Sequence, residues 1–113
     1  PGTLRGIDMA DAMHRLGNNV PLLKSLLSKF AEEYVGTARD IRESYSSGDM
    51  EAVECAAHKL SGMAGNLSAV DIHRVAREIM QAGRDNTPEK LPILIESLER
   101  HFQTLERSVS ECF

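Results

Sequence analysis

The sequence predicts an all-α protein: an antiparallel four-helix bundle with a short additional N-terminal helix. Apolar residues recur every three or four positions along most of the 113-residue chain, which is the spacing of helices that bury one face. No segment keeps a period of two, so we predict no strands. Aromatic residues make up only 4% of the chain, and a core built from smaller apolar side chains suits helices packed side by side.

Capping residues and turn residues delimit five helices. We predict them over residues 8–16, 20–46, 50–67, 70–82 and 88–112. The first three begin at side chains that cap helices well, Asp8, Asn19 and Asp49. Gly83 is predicted to end the fourth helix, and Thr87 is predicted to cap the fifth, with Pro88 at its first position.

Apolar stripes on three long helices supply the predicted core. The second helix carries Leu23, Leu27, Phe30, Tyr34, Ile41 and Tyr45. The third carries Met50, Val53, Ala57, Leu60, Ala64 and Leu67. The fifth carries Leu91, Ile95, Leu98, Phe102, Leu105, Val109 and Cys112. Because the connections are short, successive long helices should run antiparallel, with the first short helix closing one end.

Composition narrows the class of protein to a single globular domain. The chain is 42% hydrophobic and 27% charged, and its net charge of -4 argues against binding to nucleic acid and against direct contact with an anionic membrane. Cys55 and Cys112 do not make a disulfide framework, so we expect a cytoplasmic location. Since the chain opens on Pro1, we expect a piece of a longer protein, for which a membrane anchor elsewhere is left open.

His58 carries the main functional signal in the sequence. On a helical wheel it lies about 130° from the centre of the third helix's apolar stripe, so it should face solvent. Gly62 and Gly65 fall within about 40° of it, and two mid-helix glycines cost about 2 kcal/mol of helix stability. We interpret them as a cleared surface that lets a partner reach the imidazole. The alternative is that they permit close packing of a neighbouring helix.

The stretch AAHKLSGMAGNLSAVDI, residues 56–72, resembles the signature of histidine-containing phosphotransfer (HPt) domains. The matching residues are His58, Leu60, Ser61, Gly62, Ala64, Leu67 and Ala69. The upstream stretch GIDMADAMHRLGNNVPLLKSLLSKFAEEY is similar to the family's opening, and the resemblance covers about residues 6–107. Two positions depart from the pattern. Many members have lysine where this chain has Ser61, and glycine is common where it has Ser68. We expect the change at Ser68 to alter only the turn before the fourth helix.

The resemblance implies a phosphorelay intermediate; we expect the C-terminal output module of a hybrid sensor histidine kinase, with a free-standing carrier as the alternative. His58 would accept a phosphoryl group from a receiver-domain aspartyl phosphate, through the ring nitrogen farther from the backbone, and pass it to an aspartate of another receiver. Histidine suits this role because its neutral, nucleophilic form is available near neutral pH. The partners implied are receiver domains of a hybrid kinase or a response regulator, and docking is expected over the second and third helices, with the first at the rim.

The resemblance also implies that little catalytic apparatus belongs to this chain. We expect no intrinsic cofactor, and Mg²⁺ should sit on the partner receiver domain. The sequence lacks a GxxxxGK[ST] loop, so we expect no ATP site and no autokinase activity. Lys59, Ser61, Gly62 and Gly65 are expected to support the phosphoryl group or the partner. With serine in the lysine position, the stabilising cation stays open; Lys59 is one candidate, although it points further round the helix.

Two alternatives come from other classes of protein. A helical adaptor could bind a receiver or kinase without carrying phosphate, although the presence of His58 argues against it. Cys55 and His58 could share a helix face as half a metal site, but no second pair follows, and we predict no metal. None of the other histidines is followed by small residues one and two turns later, so His14, His73 and His101 are predicted to be surface or boundary residues.

Overall fold

Five α-helices account for most of residues 7–112, the part of the chain that the computed structural model describes. They are α1 (Met9–Arg15), α2 (Val20–Ser46), α3 (Met50–Asn66), α4 (Val70–Arg84) and α5 (Leu91–Cys112), with a 3₁₀ turn at Pro88–Lys90. No strand occurs within the described residues, and the all-α prediction is confirmed. Pro1 and the side chain of Cys112 lie outside the described part, so the inferences drawn from them stay predictions.

The helices α2 to α5 form a four-helix bundle in which each helix packs against two neighbours. Helices α2 and α4 both contact α3, and both contact α5. Connections of three residues, 47–49 and 67–69, leave no length for a crossover, so successive helices run antiparallel. The 27 residues of α2 span about 40 Å at 1.5 Å per residue, close to the 42 Å long axis of the molecule.

The predicted apolar stripes form the core, and every member whose burial is described is buried or half-buried. The largest fully buried side chains are Leu23, Leu27, Ile41, Val53, Leu60, Ile79, Leu91, Ile95, Leu98, Phe102 and Leu105. Phe30 of α2 stacks on Phe102 of α5, with 5.7 Å between ring centroids, and so ties the first and last bundle helices together. Between residues 7 and 112, no helix is both long and apolar enough to cross a membrane.

The three predicted N-caps are present and set where the first three helices begin. The carboxylates of Asp8 and Asp49 and the side-chain carbonyl of Asn19 each accept a hydrogen bond from the backbone N–H three residues later, at 3.0 Å. Each such cap typically contributes about 1 kcal/mol, because it satisfies a donor that the helix itself leaves unpaired.

Ser68 occupies the tight turn between α3 and α4 in a left-handed conformation, with φ of 58°. The N–H of Ser68 donates to the carbonyl of Gly65 at 3.2 Å, and the N–H of Ala69 donates to the carbonyl of Ala64 at 2.9 Å. This pair of bonds is the Schellman ending of a helix, which usually places glycine at the left-handed position. The turn therefore forms with serine where a glycine is easier to accommodate.

The hydroxyl of Ser68 also holds α1, so the expectation that this residue alters only the turn is wrong. The hydroxyl donates to the carboxylate of Asp11, and the backbone N–H of Asp8 donates to the carbonyl of Ser68 at 2.9 Å. The bond from Ser68, and then that from Arg15, keep the pKa of Asp11 below its usual value. Helix α1 thus closes the end of the bundle formed by the α3–α4 turn, as predicted.

Helix α4 runs two residues further than predicted, because Gly83 is a packing residue and not a stop. Gly83 is buried, and a Cβ built on it would lie 3.0 Å from the carbonyl oxygen of Met50 and 3.1 Å from the backbone nitrogen of Glu54. Its missing side chain lets α4 approach the start of α3. The left-handed residue that ends α4 is Asn86, with φ of 53°.

The start of α5 also differs from the prediction. Pro88–Lys90 form a 3₁₀ turn, and α5 begins at Leu91. Thr87 makes no side-chain cap; its hydroxyl donates instead to the carbonyl of Ala82 at 3.3 Å, which helps to satisfy the end of α4.

Two glycine-to-alanine substitutions test this account of the packing. Gly83→Ala should lower the free energy of unfolding by about 1–3 kcal/mol, because the methyl group meets backbone atoms that cannot turn aside. Gly36→Ala is the matched control inside α2, where an added Cβ meets nothing within 4 Å. It should raise stability by about 0.5–1 kcal/mol, since alanine loses less backbone freedom on folding. Urea denaturation measures both, and a stabilising Gly83→Ala would refute the close approach.

Candidate functional site

His58 lies in the middle of α3 and is exposed, as the helical wheel predicts. The adjacent Ala57 and Leu60 are fully buried, so the backbone that carries the imidazole is fixed against the core. Within residues 7–112, no hydrogen bond or ion pair engages the ring. The side chain is therefore presented to solvent from a rigid support, with its nitrogens available to a partner.

Gly62 leaves open space one helical turn beyond His58. It is exposed, and a Cβ built at this position would meet nothing within 4 Å. No packing contact explains the glycine, and an ordinary side chain here would project from the same face as the imidazole. This geometry agrees with a cleared surface, and whether a partner uses it stays a prediction.

Gly65 has a different environment from Gly62. The sequence predicted that both glycines clear the surface around His58 and that neither makes room for a neighbouring helix, and for Gly65 this prediction is wrong. It is half-buried, and its Cβ would lie 3.2 Å from Nδ1 and 3.3 Å from Cε1 of His73 on α4. The missing side chain makes room for that imidazole. Close helix packing, the alternative interpretation, is therefore correct for Gly65.

Ser61 and His73 form a contact between α3 and α4. Nδ1 of His73 lies 2.9 Å from the carbonyl oxygen of Ser61, and because a carbonyl only accepts, Nδ1 carries the proton. The hydroxyl of Ser61 lies 3.3 Å from the same nitrogen, and Ser61 is only 7% exposed. The hydroxyl thus lies against α4 and is largely covered, and its support of the phosphoryl group stays a prediction.

The remaining predicted residues lie on the outer surface of α3. Lys59 and Cys55 are both exposed, and Cys55 is a free thiol. In the described part of the chain, no group of three or more His, Cys, Asp or Glu side chains is placed to hold a metal ion, so the pair of Cys55 and His58 gains no further ligand there. His14 is exposed, and His73 and His101 are half-buried, as predicted for surface or boundary positions.

The edge of α3 that carries His58 faces α4, which the sequence did not indicate. Before His58 along α3, Arg84 Nε donates to Glu54 Oε2 at 2.8 Å. After His58, Ser61 contacts His73 of α4. Because His58 lies between these contacts along α3, helix α4 flanks the site. The expectation of docking over α2 and α3 left this helix out.

The fold and the site together define a class of protein, an antiparallel helical bundle with an exposed imidazole at mid-helix. Comparison with known proteins identifies the family. The family model described as Hpt domain matches residues 25–109, which include His58, and the chain belongs to this family. A histidine phosphotransfer role in a phosphorelay follows from that membership.

A solved structure supports the fold. The HPT domain from the Hpt sensor hybrid histidine kinase of Shewanella is 20% identical to this chain, with a TM-score of 0.76. The match covers 97% of this chain and 95% of the other. No curated protein matches the sequence.

Proposed function

We propose that His58 accepts a phosphoryl group from the aspartyl phosphate of one receiver domain and passes it to an aspartate of another. The observation that carries the proposal is the exposed imidazole at the centre of α3, with the open surface of Gly62 one turn beyond it. A receiver must bring its phosphorylated aspartate within bonding distance of the ring, and a bulky side chain at that turn would prevent the approach.

The transfer forms one bond and breaks one. The lone pair on Nε2 of His58 attacks phosphorus in line with its bond to the aspartate oxygen. That P–O bond breaks, its electron pair leaves on the carboxylate, and the ring keeps its proton on Nδ1 or releases it to water. In onward transfer the ring carries a proton on Nδ1, taken back from water if it had been released; a second receiver's carboxylate then attacks phosphorus, the P–N bond breaks, and His58 leaves as neutral imidazole.

The receiver domain should supply most of the positive charge that the transfer needs. We expect the receiver to hold the Mg²⁺ that neutralises charge on the transferring group. The docking surface should centre on His58 and extend over α4 as well as over α2. We further propose that the chain acts in the cytoplasm as the output module of a hybrid sensor kinase.

Transfer from charged receivers tests the proposal. Receiver domains labelled with radioactive acetyl phosphate are mixed with the protein, and the label on each chain is followed. Label should appear on this chain, survive alkali and disappear in acid, because protonating the imidazole makes it a better leaving group. An adaptor would instead bind receivers and take up no label, and that outcome would refute the proposal.

A further inference from the structure

Two facing rows of residues run along the contact between α3 and α4. The α3 row contains Glu54, His58, Ser61 and Gly65, and the α4 row contains His73, Arg77, Met80 and Arg84. Both rows have the spacing i, i+4, i+7 and i+11, which keeps residues on one side of a helix. The rows meet at both ends, where Gly65 lies against His73 and Glu54 pairs with Arg84.

Counting along the antiparallel rows places His58 opposite Met80. His58 follows Glu54 by four residues, and Met80 precedes Arg84 by four, a rise of about 6 Å along each helix. Helical side chains lean toward the N-terminus of their own helix. In the structure Arg84 contacts Glu54; the usual lean would carry its side chain toward Met80 and that of His58 toward Glu54, so a guanidinium that leaves Glu54 has the imidazole within one helical turn.

The guanidinium of Arg84 can donate further hydrogen bonds. Only its Nε is engaged, by Glu54, and within residues 7–112 its two terminal nitrogens make no hydrogen bond. The side chains of Arg84 and Glu54 are 55% and 29% exposed. Ion pairs this open to water contribute little to stability, so exchanging the partner of Arg84 costs little.

Other side chains near His58 are placed less well to bind a phosphoryl group on its ring. Lys59 follows His58 directly, so it lies about 100° further round α3. Ser61, in the position where the family often has lysine, is uncharged and covered by α4. Arg77 lies opposite Ser61 by the same count, and the usual lean of helical side chains carries an arginine there away from His58. A phosphoryl group on His58 adds close to two negative charges, which a guanidinium binds in preference to a single carboxylate.

We propose that Arg84 is a phosphoryl-binding residue that leaves Glu54 for the phosphoryl group when His58 is phosphorylated. Glu54 acts as the competing anion that occupies the arginine in the unphosphorylated protein. This inference rests on the proposed function of His58 and adds to it the source of the stabilising cation. No covalent bond changes in the exchange.

Two substitutions that break the same ion pair separate this role from a structural one. Arg84→Gln removes the cation, so the equilibrium constant for phosphoryl transfer from one charged receiver to this protein should fall by about 3- to 10-fold. The equilibrium fraction of phosphorylated protein gives this constant. Glu54→Gln removes the competitor, so the constant should rise by about 2- to 5-fold. If the ion pair only braced α3 against α4, both variants would shift the constant in the same direction.

The matched control is Arg74→Gln on the same helix. Arg74 is 57% exposed and pairs with Glu78 of its own helix, away from α3, so its loss should leave the constant unchanged. Shifts of equal sign in the two test variants, or no shift with Arg84→Gln, would overturn the proposal while wild-type labelling stands. A wild-type protein that takes up no label would overturn the function of His58 itself, and this inference with it.

Discussion

Replacing His58 with glutamine should abolish phosphoryl transfer to the protein while leaving the bundle folded. Glutamine has no ring nitrogen that can form the P–N bond, so acid-labile label from a charged receiver should fall to background. The side chain is exposed, and substitutions at such positions usually change stability by less than about 0.5 kcal/mol. The melting temperature should therefore move by less than about 4 °C.

The matched controls are the other histidines of the surface. His14→Gln on α1 and His101→Gln on α5 should keep full labelling, because His14 lies at the end of a short helix and His101 is half-buried, whereas His58 is exposed at mid-helix. His73→Gln should also keep the label, but it removes the hydrogen bond to Ser61 and is therefore a less clean control. Label that persists on His58→Gln would show that the wrong residue has been assigned.

Arginine in place of Gly62 should slow transfer from a receiver by about 100-fold, because the approach to the imidazole tolerates little displacement. The position is exposed and has nothing within 4 Å of an added Cβ, so the long side chain can project into solvent without disturbing the core. Initial rates of label transfer measure the effect, and circular dichroism checks that the helices remain.

Two variants separate the size of the side chain from its charge and from its place on the helix. Gly62→Ala adds only a methyl group, so transfer should persist and stability should rise by about 1 kcal/mol. Gln103→Arg adds the same charge to an exposed position on α5, away from α3, and should leave the rate unchanged. Normal transfer by a folded Gly62→Arg variant would contradict the steric role of the glycine.

The helices and the faces they bury were predictable because their causes are local. The caps at Asp8, Asn19 and Asp49 act within three residues, and the apolar stripes repeat within one or two turns. The exposure of His58 follows from the same geometry, since the wheel places it away from the stripe. These inferences need no knowledge of which helix lies beside which.

The roles of the glycines could not be read from the chain, because each depends on what lies opposite. Gly36, Gly62, Gly65 and Gly83 all lie within helices. An added Cβ meets nothing at Gly36 and Gly62, an imidazole from α4 at Gly65, and the backbone of α3 at Gly83. The atoms that face Gly65 and Gly83 belong to another helix and come close only when the bundle assembles.

The register between α3 and α4 was decided by tertiary packing alone. Hydrophobic periodicity indicates which face of a helix is buried, but it leaves the position of one helix along another undetermined. That register brings Glu54 to Arg84 and Ser61 to His73, and it makes α4 the flank of His58. The sequence thus identified the histidine and its exposure through local geometry. The side chains that surround it depend on how α4 seats against α3, which Gly65 and Gly83 permit by having no Cβ.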